Sequence, residues 1–145
     1  MRICSPNSDR DFAHYYQLRW EMLRAPWQQP KGSEQDEFES LAFHIMAINQ
    51  DDVVIGVGRL HSPDNRTGQI RYMAVRPQDQ QQGVGSSILK ALEQQALQEN
   101  YTRLILNARD SAVRFYHRHG YTCLAQGETL FGKIKHTQMQ KIIRP

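Results

Sequence analysis

The sequence predicts an α/β chain built on a mixed sheet, mostly antiparallel with one parallel pair. Three observations carry this. Strand-like runs succeed one another between Leu41 and Arg76 across turn-rich segments; the apolar period moves from about 2 to about 3.6 after Gly83-Val84-Gly85; and a short strand follows the helix that starts there. At 145 residues the chain has the usual size of one domain, so residues 1–145 are expected to form a single unit with one core.

In Asp9–Arg24, Phe12, Tyr15, Tyr16, Trp20 and Leu23 recur at helical spacing, which predicts a first helix with one buried face. Pro26 and Pro30 interrupt the helical pattern after it, and Ser33 with Asp36 three residues on predicts a short capped helix running to about Ser40. Leu41–Ile48 and Val53–His61 are dense in β-branched and aromatic residues around Asn49-Gln50-Asp51-Asp52, the pattern of a hairpin. Gln69–Arg76 follows a turn-rich segment and adds a third antiparallel strand. Ile88, Leu92 and Ala96 then mark one face of a helix ending near Asn100. Arg103–Asn107 is a short strand, Asp110–His119 a helix closed by a left-handed Gly120, and Tyr121 onward holds one or two more strands. The strand–loop–helix–strand unit in the middle needs a right-handed crossover and pairs its strands in parallel.

The formal charge of +3 suits a polyanionic ligand of nucleotide size; the basic residues are scattered and form no stripe with interleaved aromatics, which argues against a nucleic acid. The longest apolar windows, Leu41–Ile48 and Val53–Val57, fall far short of the ~20 residues of a membrane helix. The start, Met-Arg-Ile-Cys-Ser-Pro, lacks the apolar stretch of a signal peptide, so a cytoplasmic protein with reduced Cys4 and Cys123 is expected. No histidine pair stands at zinc-ligand spacing with a third partner, and no metal is predicted.

The chemistry concentrates between Ile70 and Ser87, where a strand leads into a polar loop with glycines at 83 and 85 and then an amphipathic helix. Such a helix start is an anion site, because its first amides lack intrahelical partners and the aligned peptide dipoles place about half a positive charge there. A P-loop would need a lysine before Ser86, and a dinucleotide fingerprint would need glycine where Ile88 stands and an acid where Asn107 stands. Neither ATP nor NAD is favoured.

What remains is Gln80, Gly83 and Gly85 in the pattern Gln/Arg-x-x-Gly-x-Gly/Ala behind Met73-Ala74-Val75, followed by Phe115-Tyr116 and Gly120-Tyr121. These two motifs, in this order and spacing, resemble those of the GNAT acyltransferases. Tyr16–Arg24 and Gln29–Glu34 also look like the GNAT half of bacterial acetyltransferase–thioesterase fusion proteins. The resemblance implies the GNAT fold, with helices on both sheet faces, and acetyl-CoA as co-substrate. It implies that the backbone of Met73, Ala74 and Val75 pairs with the pantetheine arm as an added strand would. It also implies that Gln80 belongs to the cofactor site and that the amides of Gln81, Gln82, Gly83, Val84, Gly85 and Ser86 hold the pyrophosphate, the Ser86 hydroxyl being open to the alternative of a plain helix cap. Tyr116 matches the tyrosine that protonates the departing thiolate, with aromatic packing as the other reading. Arg109 occupies the place where the family often has an asparagine contacting CoA, and Asn107 lies two residues earlier, so both are candidate cofactor contacts.

The implied reaction is direct attack of an amine on the acetyl thioester, which requires a base. Gln69–Arg76 contains no carboxylate where many relatives carry a glutamate, so His44 and His61 are the candidate bases. Glu34, Asp36, Glu37 and Glu39 could attract a cationic substrate or form a solvated helix face. Transfer to a hydroxyl or carrier-protein group, or acetyl-CoA binding without catalysis, are the alternative functions. The acceptor is unidentified, and Lys133–Ile143 alternates in a way compatible with a homodimer edge as well as a sheet interior.

Overall fold

A computed structural model describes residues 1–144. Seven strands form one sheet: β1 Arg2–Cys4, β2 Phe43–Ile48, β3 Val54–His61, β4 Thr67–Val75, β5 Arg103–Arg109, β6 Thr122–Leu130 and β7 Ile134–Ile142. The spatial order is β1-β2-β3-β4-β5-β7-β6, and every neighbouring pair is antiparallel except the parallel β4 and β5. Three helices flank it: α1 Asp9–Leu23, α2 Val84–Gln98 and α3 Val113–Arg118. Among the described residues no helix is long and apolar enough to cross a membrane.

Strand alternation assigns the helices to opposite faces. Along β2, Ile45 and Ala47 join a core with Ile88, Leu89 and Leu92 of α2, while Met46 and Ile48 join a second core with Tyr15 and Leu18 of α1. Tyr116 of α3 belongs to the first core, so α3 lies on the α2 face. The helix α2 sits close on β3 because glycine lines the contact: a Cβ at Gly56 or Gly58 would lie 2.6 or 2.7 Å from Ile88 side-chain atoms.

The mixed sheet, the antiparallel order of β2–β4 and the parallel crossover through α2 agree with the sequence. Gly120 takes φ +90° after α3, as expected of a residue that closes a helix. Two elements differ. The three residues of β1 were not anticipated, since their strand character rests on pairing Arg2, Ile3 and Cys4 with Ile48, Ala47 and Met46. The expected helix from Ser33 to Ser40 does not form; that stretch is a series of isolated turns, such as Gln35 N to Gly32 O and Leu41 N to Phe38 O. Its acids are drawn inward instead. Buried Arg59 binds Asp36 Oδ1 at 2.6 Å and Glu39 Oε2 at 2.7 Å, and buried Arg19 binds Glu39 Oε1 at 2.9 Å. Glu34, Asp36 and Glu39 are therefore not a solvated helix face, and only Glu37 of the cluster stays exposed.

Candidate functional site

The parallel pairing of β4 with β5 stops at Ile70 opposite Leu106. Beyond that point β4 stays with β3 and β5 stays with β7, so the two strands part and leave their facing backbone edges without each other. A bulge reinforces the parting: Tyr72 and Met73 together oppose Gly58, and Tyr72 takes φ +59°. Such a backbone costs of order 1 kcal/mol for a bulky residue. Contacts around the ring hold it, with the guanidinium carbons of Arg19, Arg71 and Arg59 at 4.4, 4.5 and 4.8 Å from its centroid. The parted strands open a cleft of about 900 Å³ that reaches from the start of α2 to the far side of the sheet.

At the α2 end, Gln80 Nε2 donates to the Val75 carbonyl at 2.9 Å and ties the loop to the strand end. Gly83 caps α2 at φ +84°, where a side chain would be strained, and no side chain caps the helix. The first-turn amides thus face the cleft without a protein acceptor. Gln80, Gln81, Gly83, Gly85 and Ser86 line it. Gln82 and Val84 do not: Val84 is buried in the core and Gln82 reaches the Gln78 carbonyl. Ser86 Oγ lies 3.0 Å from His119 Nε2 rather than capping its own helix.

Facing this loop across the gap, the Tyr116 hydroxyl lies 3.4 Å from Met73 Sδ. Burial raises its pKa, so the phenol stays protonated. Met73, Ala74 and Val75 form the wall beside it.

The cleft continues through the sheet to the α1 face. Leu104, Leu106 and Ala108 of β5 face α2, which turns Asn107 and Arg109 to the other side. Arg109 pairs in register with His136 of β7, placing both on that side. His136 Nδ1 donates to the Glu128 carbonyl at 3.2 Å, which leaves Nε2 with the lone pair in the neutral ring. Arg24, at the end of α1, closes this side.

His44 and His61 are not brought to the cleft. His44 Nε2 donates to the Glu39 carbonyl at 2.8 Å, its Nδ1 meets the Tyr15 hydroxyl at 2.9 Å, and burial lowers its pKa. His61 Nδ1 accepts from Arg59 at 3.2 Å beneath the stacked Phe38 ring, and burial and then the Arg59 charge lower its pKa. Both rings pack against the 28–42 loop, and neither lines the cleft where the sequence reading expected a base. Sequence reasoning missed Arg24, Glu128 and His136. Only the β5–β7 register, a non-local fact, sets His136 beside Arg109.

The chain belongs to the acetyltransferase (GNAT) family, whose model matches residues 12–121. It is 32% identical over 141 residues to the Bacillus subtilis (strain 168) protein named uncharacterized N-acetyltransferase YjcF, covering 97% of this chain and 99% of that one. In fold it is similar to an aminoglycoside 6'-N-acetyltransferase complexed with coenzyme A, at TM-score 0.83 and 14% identity over 100% and 98% of the two chains. Escherichia coli ElaA is similar at TM-score 0.79 and 17% identity over 97% of each chain.

Proposed function

We propose that the cleft binds acetyl-CoA and that the chain, working as one domain, passes the acetyl group to an amine by direct attack on the thioester. The carrying observation is the meeting, in one cleft, of the parted edge of β4 with the uncapped start of α2. A strand edge is what an extended chain of amides such as pantetheine adds to, and a helix start is what a pyrophosphate needs. The similar fold crystallised with coenzyme A supports this reading.

In it, the amides from Gln81 to Ser86 hold the pyrophosphate and the backbone of Met73, Ala74 and Val75 aligns the thioester arm, with Asn107 on the facing strand. Tyr116, protonated beside Met73, donates to the leaving thiolate. An amine of pKa about 10.4 must shed a proton, at a cost of about 4.6 kcal/mol near pH ~7. His136 accepts it at Nε2, the nitrogen that its bond to the Glu128 carbonyl leaves free.

Thermal melts test the first half of the proposal and thiol release the second. Acetyl-CoA raises Tm, ATP and NADH do not, and free thiol appears only when an amine is added. Equal stabilisation by ATP or NADH would refute the site; release without any amine would refute the transfer.

A further inference from the structure

Beyond the buried ion network, the α1 face of the cleft holds two cations that, among the described residues, no carboxylate pairs directly. Buried Glu34 acts on Arg24 at longer range, and Glu128 lines the same cleft. Arg24 is only 7% exposed, yet among the described residues no carboxylate lies within ion-pair distance of it. Its Nε donates to the Ser33 carbonyl at 3.0 Å and one Nη to the Leu23 carbonyl at 2.9 Å, so both partners are neutral. The guanidinium lies between rings of Tyr72 and Phe131, with centroids at 5.7 and 5.6 Å, and borders the cleft. Arg109 lines the same cleft half-buried, and among the described residues it has neither an ion pair nor a side-chain hydrogen bond.

Neighbouring arginines show how this chain otherwise treats buried cations. Arg19 and Arg59 are wholly buried and paired to Asp36 and Glu39, and Arg71 is paired to Asp36 at 3.1 Å. A buried guanidinium without an anion is costly, and two facing one cavity cost more. Burial and then the charge of Arg24 lower the pKa of Arg109, so the two positive charges act on each other. Nothing in the packing requires Arg109 to be charged.

The missing anion belongs to a ligand, and its place says which. Arg24 and Arg109 stand on the α1 face, opposite the face where the start of α2 receives a pyrophosphate, so a phosphate of CoA held there is across the sheet from them. The second reactant enters from their side, and resting on the proposed acetyl transfer, we infer that the acceptor is an amine carrying a carboxylate, which Arg24 and Arg109 clamp while the amine points at the thioester. Arginine suits the task because its fork of donors matches a carboxylate in two parallel bonds. His136, beside Arg109 in register, then stands next to the amine.

Matched acceptors decide it: amino acids, each offered as free carboxylate and as carboxamide, with acetyl-CoA melts run alongside to score the CoA site separately. The carboxylate member should have kcat/KM higher by about tenfold or more, carried mainly by KM, since a hydrogen-bonded charge discriminates on that scale. Arg109→Gln should collapse the ratio toward unity. This variant is preferred to Arg24→Gln, whose bonds to Ser33 and Leu23 also hold the fold. Because these ratios presuppose turnover, NMR titration with N-acetylglycine and N-acetylglycinamide, without CoA, reads the clamp directly. The arginine side-chain signals should move with the carboxylate and not with the amide. Equal turnover of the pair, a ratio unaltered in Arg109→Gln, or equal shifts with both probes would overturn the clamp, whatever the melts say about acetyl-CoA.

Discussion

At the scale of single residues the sharpest question is what Tyr116 does with a hydroxyl that burial keeps protonated. Its contact is a methionine sulfur at 3.4 Å, a weak acceptor, in a core otherwise satisfied by apolar packing. A hydroxyl kept for packing alone would be expected to find a stronger partner, as Tyr121 does at 2.8 Å from Glu93. Tyr116→Phe should therefore lower kcat about a hundredfold, toward the low end of general-acid catalysis, because a thiolate is already a tolerable leaving group. Acetyl-CoA affinity should hold, since the ring stays between Phe115 and Tyr121. Single-turnover kinetics check this; an unchanged chemical step would return Tyr116 to packing.

At the scale of elements, the 28–42 segment is an irregular loop fixed by ion pairs rather than a helix. Burial alone would raise the Asp36 pKa, but the Arg59 hydrogen bonds, the Phe38 amide and the Arg59 and Arg71 charges outweigh it and hold the carboxyl well below the usual range. A depressed folded pKa adds stability that is fully present above the unfolded value of about 3.9 and is lost as pH falls through the folded value. Asp36→Asn should therefore melt lower at neutral pH by about 8 °C, from about 2–3 kcal/mol with Glu39 still pairing Arg59, and the gap should begin to narrow only below pH ~4 and shrink progressively as pH falls further. Melting curves of both proteins between neutral and strongly acidic pH test it, and a gap independent of pH would remove Asp36 from the linkage. The same loop shows where sequence reasoning stops. Period and turn chemistry are local, so α1, β2–β4 and α2 were legible. The Ser33–Asp36 capping pattern was legible too, but long-range pairing with Arg59 and Arg19 overrode it. The glycine loop and Tyr116 were found because each stands in a local motif, whereas His136 and Arg24 enter the cleft only through the β5–β7 register and the end of α1.

At the scale of the whole molecule, the sheet consists of two halves joined by little strand pairing and by a common core under α2. Pairing between β1–β4 and β5–β7 is confined to Thr67–Ile70 opposite Arg103–Leu106, while Leu104, Leu106 and Met139 pack with Ile88, Leu89 and Leu92 in the core that both halves share. The proposed acetyl-CoA site lies across this seam, with Met73–Val75 and the start of α2 on one side and Asn107 and Tyr116 on the other. A ligand that needs both halves resists the opening of either. At about 100 times the dissociation constant it should add about 2.7 kcal/mol, or roughly a hundredfold in the protection of any amide whose exchange requires the site to come apart. Amides deep in the β5–β7 ladder, around Ile105 opposite Gln140, lie away from the cleft and report on that opening without touching the ligand. Hydrogen exchange with and without acetyl-CoA should therefore slow them about as much as amides in β3. If only α2 and β4 gain protection, the far half opens with ligand still bound, and the site is held by one side of the seam alone.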